Sequence, residues 1–118
     1  MIAYLVTCLV EMPIVVALVR GLGWRSRRRP GVVAVAWLLQ LTHPVLWLVH
    51  PVGVLALVTA ELVIVAVEGA VLYWWAVSRA DAPATLGTLE RALLIAFIAN
   101  AASFLTGLAL FAWPGLVR

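Results

Sequence analysis

Glu11, Glu61 and Glu68, three of the five acidic residues in this chain, fall inside apolar runs long enough to cross a bilayer. A charged side chain at the centre of a membrane helix costs ~2.5–3.5 kcal/mol on insertion scales. A chain that needed only an anchor would not carry three. Such residues face a bundle interior and mark a pathway or a site. His43 and Asn100 fall in two further apolar runs, so the sequence places a polar cluster at membrane depth.

The rest of the composition agrees. Hydrophobic residues make up 66% of the 118 and charged residues 11%, with a mean hydropathy of +1.16. Soluble domains sit near ~45–50% apolar and ~25% charged. No water-soluble core of this length hides so much apolar surface. The expectation is therefore one transmembrane domain over 1–118. A net charge of +3 raises nucleic acid as a partner. The arginines argue against it, because they flank the apolar runs and read as topology signals. The one cysteine, Cys8, excludes an internal disulfide and reads as a small apolar filler.

Four apolar segments follow in order, over about 2–19, 32–49, 52–77 and 92–113. Each approaches the ~17–25 residues that a hydrocarbon layer of ~30 Å requires. Backbone satisfaction in lipid then demands helices, despite the abundance of valine. The fold class expected is all-α: a polytopic membrane protein with four transmembrane helices in an up-down bundle. The first connection carries Arg20, Arg25, Arg27, Arg28 and Arg29 with no acid, and the third carries Arg79. Positive-inside bias puts both in the cytoplasm and both termini outside, with only Arg118 opposed. Tyr4, Trp47 and Trp113 then fall near the outer interface, and Trp24, Trp74 and Trp75 near the inner one. Trp37 is the exception.

This topology assigns depths. Glu11, His43 and Glu61 each lie roughly 8–10 residues from an outer end, ~12–15 Å at 1.5 Å per residue. Glu68 lies two turns nearer the cytoplasm on the face that Glu61 occupies. Gln40, His43, Trp47 and His50 form one helical stripe, and Ala99, Ser103 and Gly107 form a small-residue run beside Asn100. Small residues permit close helix approach, and Asn or Ser hydrogen-bonds across the contact. Pro13 and Pro44 sit at the same level and free the carbonyls of Leu9 and Gln40. A packing kink is the plainer reading of each; an extra oxygen ligand is the sharper one.

One His with two or three Glu is an oxygen and nitrogen set suited to a divalent metal or a proton. The site expected is Glu11, His43 and Glu61, supported by Glu68, Asn100, Ser103 and Gln40. The plainer reading is glue, in which protonated carboxyls hydrogen-bond neighbouring helices. No HExxH, GxSxG or P-loop occurs, so no catalytic or cofactor-binding residue is assigned. Ser103 with His43 and a Glu would meet only a crude nucleophile–base–acid list.

The run Thr42-His43-Pro44, the pair Glu61 and Glu68, and Asn100 followed by Ser103 together resemble a group of small four-helix bacterial integral membrane proteins. In those an Asn- or His-Pro pair, two acids on one helix and an Asn-Ser pair on the last are associated. The resemblance covers most of the chain from the second segment onward. It implies the helix count and the polar residues, and it carries no activity.

The function expected is cation handling, proton or divalent metal, by a small transporter or channel component of the bacterial inner membrane. The rival is a non-catalytic accessory subunit or assembly factor whose polar stripes dock a larger membrane complex. The bilayer is a partner in either case, and a homo-oligomer is compatible with both. Topology is open to test by labelling single cysteines, introduced into a Cys8→Ser background. A cysteine at Ser26 should react only from the cytoplasm and one at the C-terminus only from outside. Reaction of both from the same side refutes the assignment.

Overall fold

The described residues are helical nearly throughout, the one way for so apolar a chain to satisfy its backbone within each segment. The computed structural model describes residues 2–49 and 52–112. His50, Pro51, Trp113, Arg118 and the side chain of Trp47 lie outside the described residues. The elements are α1 (Ile2–Gly21), α2 (Val32–Leu39), α3 (Thr42–Val49), α4 (Val54–Arg79) and α5 (Leu86–Ala112). No strand occurs among the described residues. Helices α1, α4 and α5 are each long and apolar enough to cross a membrane. The molecule measures 45 × 26 × 20 Å, its long dimension close to the ~40–45 Å of a bilayer with headgroups.

All four apolar runs form helices, but the second does so in two pieces. The single helix expected over 32–49 breaks at Gln40-Leu41 into α2 and α3. Pro44 is the physical cause. It has no N–H for the Gln40 carbonyl, and its ring crowds that carbonyl. The turn tightens instead: the amides of Gln40, Leu41 and His43 bond carbonyls three residues back. The Thr42 hydroxyl lies 2.9 Å from the Leu39 carbonyl, but its single proton goes to the nearer, charged Glu68 carboxylate. Tightened backbone bonds thus replace part of what the proline removes, which is how such breaks survive in apolar surroundings. Pro13, by contrast, is carried within α1.

The fourth run also begins earlier than expected, at Leu86 and not near Ala92. Thr85 caps it: its hydroxyl accepts from the Thr88 amide at 3.3 Å, satisfying a donor that the first turn leaves free. Helix α1 ends in a Schellman motif. There the Trp24 amide bonds the Val19 carbonyl and the Gly23 amide bonds that of Arg20. Gly23 has φ 78°, a left-handed conformation that glycine adopts without Cβ strain.

Helix α5 packs against both α1 and α4, α2 packs on α1, and α3 rests lightly on α4. Large apolar side chains point outward: Leu9, Leu48 and Leu55 are among many that are exposed. Glu11, Gln40, His43, Glu68, Asn100 and Ser103 are buried. This polar-in, greasy-out arrangement is the one expected of a bundle that hydrocarbon surrounds.

The two arginine-bearing connections meet at one end. The Arg27 and Arg28 amides donate to the Arg79 carbonyl at 2.8 and 3.3 Å, and Trp75 Nε1 donates to the Pro30 carbonyl at 2.8 Å. Arg79 stacks over the Trp74 ring, 5.6 Å from its centroid. Trp24 and Trp75 are buried plugs of this end, not surface anchors; Trp74 is exposed.

Close helix approach occurs at a glycine other than the one in the small-residue run. Ala99 and Ser103 are buried, but a Cβ on Gly107 would meet nothing within 4 Å. A Cβ on Gly69 would lie 3.1 Å from the Leu93 Cα and 2.4 Å from its Cδ2. Gly69 therefore sets the α4–α5 distance, one residue from Glu68. Gly69→Val should destabilise the bundle by about 1–3 kcal/mol, the usual cost of overpacking. Gly107→Ala should be neutral or stabilising by up to ~1 kcal/mol, as for a helix-interior glycine. Reversible unfolding in mixed micelles measures both, and equal effects would remove the special role of Gly69.

Candidate cation site

Glu11 lies at the centre of the buried cluster. It projects from the middle of α1 and is 1% exposed. His43 Nε2, from the first turn of α3, sits 3.1 Å from its Oε1 and 3.2 Å from its Oε2. Gln40, in the α2–α3 turn, donates its amide to Oε2 at 3.4 Å. Ser103 of α5 donates its hydroxyl to Oε1 at 2.5 Å. The Asn100 carbonyl lies 3.0 Å from the same hydroxyl. The single proton goes to the carboxylate, the stronger, charge-assisted acceptor.

Glu68, from the middle of α4 and equally buried, has a parallel set of donors. The Thr42 hydroxyl reaches its Oε1 at 2.6 Å, and the Asn100 amide reaches its Oε2 at 2.6 Å. Each carboxylate thus receives one hydroxyl and one side-chain amide, and Glu11 also faces the imidazole. One ligand atom from each of Glu11, His43 and Glu68 can be chosen so that all lie within 4.8 Å of one another. Ligands ~2.1 Å from a metal ion lie at most roughly 4.2 Å apart, so closure needs a contraction of a fraction of an ångström.

Two acceptors at the edge of this cluster have no donor. Gln40 Oε1 and Asn100 Oδ1 are both buried and unpartnered among the described residues. Rotating either amide by half a turn would set its oxygen against a carboxylate oxygen, so the amide orientations follow from the carboxylates. The cluster therefore offers a cation two carboxylates and one imidazole nitrogen.

Of the residues expected at the site, Glu11 and His43 meet, and Glu68, Gln40, Asn100 and Ser103 gather round them. Glu61 does not join the group; Glu68 stands in its place. The reason lies in α4. It lies tight against α5 at Gly69, and its first two turns stay largely exposed, as Val54, Leu55 and Val58 illustrate. Depth counted from the outer ends placed Glu61 level with Glu11, but the helices converge a further ~10 Å along, at Glu68. Glu61 is half-buried beside a groove of ≈ 380 Å³ between the N-terminal half of α4 and the C-terminal half of α5. Sequence reasoning gave no role to Thr42. Its position beside His43, ahead of a proline, was the available signal.

The hydrolase arrangement does not form. Ser103 bonds Glu11, and Glu11 bonds His43, so the carboxylate stands between hydroxyl and imidazole. Acyl transfer by such a trio needs the imidazole in the middle. Comparisons with family models, curated proteins and solved structures find no match to this chain.

Asn100 tests the cohesion of the cluster. Asn100→Leu leaves the Glu68 carboxylate short of a donor and should cost about 1–3 kcal/mol. In a Glu68→Leu background the same change should cost much less, because the stranded acceptor is gone. Additive losses in this double-mutant cycle would show that the contact carries no coupling.

Proposed function

We propose that this chain is an integral protein of the bacterial inner membrane that handles a cation at Glu11, His43 and Glu68. The supporting observation is a charge imbalance in an apolar interior. Two carboxylates and one imidazole share a buried space, and no arginine among the described residues pairs with them. Arg20, Arg25, Arg27, Arg28, Arg29, Arg79 and Arg91 lie in or beside the connections at one end of the bundle. Even with the imidazole protonated, two ionised carboxylates leave one negative charge uncompensated. A divalent metal or a proton supplies the difference.

The donor set favours a first-row divalent ion such as Mn²⁺ or Zn²⁺ over a soft ion, since no thiolate or thioether is among the ligands. Convergence of the polar stripes on the bundle interior supports a site over docking to a larger complex. The topology proposed with this reading keeps the arginine-rich end in the cytoplasm and both termini outside. Transport or channel activity follows if the ion exchanges with water on both sides.

Purified protein in dodecyl maltoside, titrated calorimetrically with Mn²⁺ and Zn²⁺, tests the reading. One ion should bind per chain, and binding should weaken as pH falls, because bound ligands must be deprotonated. Glu11→Gln and Glu68→Gln should each weaken binding by about tenfold to a hundredfold while helicity is retained. Glu61→Gln, which removes a charge that His43 and Glu11 feel but no ligand, should weaken binding less than either of these. The metal reading is sunk by wild-type protein that binds neither ion. Proton handling is tested separately, by proton flux across proteoliposomes with and without Glu11→Gln.

A further inference from the structure

The seven arginines at one end of the bundle have two acids beside them, Asp81 and Glu90. Among the described residues one ion pair forms there, Arg27 with Asp81 at 3.4 Å, and both side chains are more than half exposed. Arg25, Arg28 and Arg29 are exposed and make no ion pair among the described residues. A topology signal requires only positive charge near the membrane. This loop is also fastened, and its backbone makes most of the contacts. The Arg27 and Arg28 amides hold the Arg79 carbonyl, and the Pro30 carbonyl accepts from Trp75 Nε1. The Ser26 hydroxyl donates to the Arg28 carbonyl at 2.5 Å. Residues 25–29 thus form a fixed strip against the end of α4, with four guanidinium groups left outside. Like charges so held repel one another, and Asp81 is the one acid that pairs with the strip.

We propose that this strip and the neighbouring helix ends bind the phosphate groups of anionic phospholipids such as phosphatidylglycerol. The level of the charges favours a lipid. Arg20 and Arg79 lie in the last turns of α1 and α4, two helices of membrane-spanning length. Their guanidinium groups therefore stand near the depth of the headgroups. Apolar side chains share the same end. Leu22 and Trp74 are exposed there, and Arg79 lies over the Trp74 ring. Amphipathic rings of this kind sit at a membrane interface. A soluble polyanion would meet the charges and leave Leu22 and Trp74 in water. A phospholipid covers both, with its chains against the apolar side chains and its phosphate on the arginines. Guanidinium suits that partner, because it is weakly hydrated and grips phosphate oxygens two at a time. Each arginine near an anionic leaflet adds about fivefold to such an association.

Glu11, His43 and Glu68 take no part, so the lipid site stands or falls apart from the cation site.

The test is electron spin resonance of spin-labelled lipids, added in trace to purified protein in phosphatidylcholine vesicles. The spectrum separates lipid at the protein boundary from bulk lipid and yields a relative association constant for each headgroup. Both leaflets have the same composition, so the orientation of the protein does not enter. Labelled phosphatidylglycerol should associate at least about twofold more strongly than labelled phosphatidylcholine, averaged over the whole boundary. The preference should shrink as sodium chloride is raised to about 1 M, where charges are screened beyond ~3 Å. Joint replacement Arg25→Gln, Arg28→Gln and Arg29→Gln should roughly halve the ratio with helicity retained, since it removes charge and no backbone bond. Asp81→Asn, which releases Arg27, should raise it. A ratio near one for the parent protein overturns the proposal and leaves the strip to a water-soluble anionic partner. A preference that the triple variant keeps in full, or that Asp81→Asn lowers, overturns it as well, because the headgroups are then held elsewhere.

Discussion

Burying a carboxylate among hydrocarbon obliges the rest of the chain to surround it with donors, and Glu11 is where that obligation is met. Its partners come from three places in the chain: the α2–α3 turn, the first turn of α3, and the middle of α5. Glu68 repeats the pattern from the other side, through Thr42 and Asn100. Between them the two carboxylates tie every helix except α2 into one network, and the turn that ends α2 joins as well. In a bundle whose outer surface is as apolar as lipid tails, packing and hydrogen bonds hold helices together in place of a hydrophobic drive. Both are found at the same level here, because Gly69 brings α4 against α5 next to Glu68.

Much of this could be read from the sequence, and the reasons are physical. Long apolar runs in a chain with so few charges have one solution, and all four form helices. The polar residues were legible for the same reason: in such a chain each one is costly and must be internal. Glu11, Gln40, His43, Glu68, Asn100 and Ser103 were all marked in this way, and all are buried together. The choice between Glu61 and Glu68 was not legible. Counting residues gives depth along a helix but not the point at which two helices draw together. That point depends on Gly69, whose neighbour Leu93 lies in another helix and cannot be identified from spacing. The small-residue run on α5 suggested Gly107 instead, which has open space around it.

The break in the second apolar run was half legible. Pro44 announced a missing bond at Gln40, but not whether the helix would bend or divide. It divides because the backbone re-satisfies itself locally: the His43 amide takes the Gln40 carbonyl that Pro44 leaves without a donor. The residue that repairs the break is thus one that faces a carboxylate.

That overlap has a mechanical consequence. Helix α3 is only eight residues long and leans lightly on α4. Its first two residues grip different carboxylates, Thr42 on Glu68 and His43 on Glu11. A two-point latch of this kind fixes the rotation of α3 about its own axis as well as its position. A change of charge at either carboxylate loosens one point and leaves the other as a pivot. The arc available to α3 about that pivot then carries the second grip with it, so neither carboxylate can exchange its partners without disturbing those of the other.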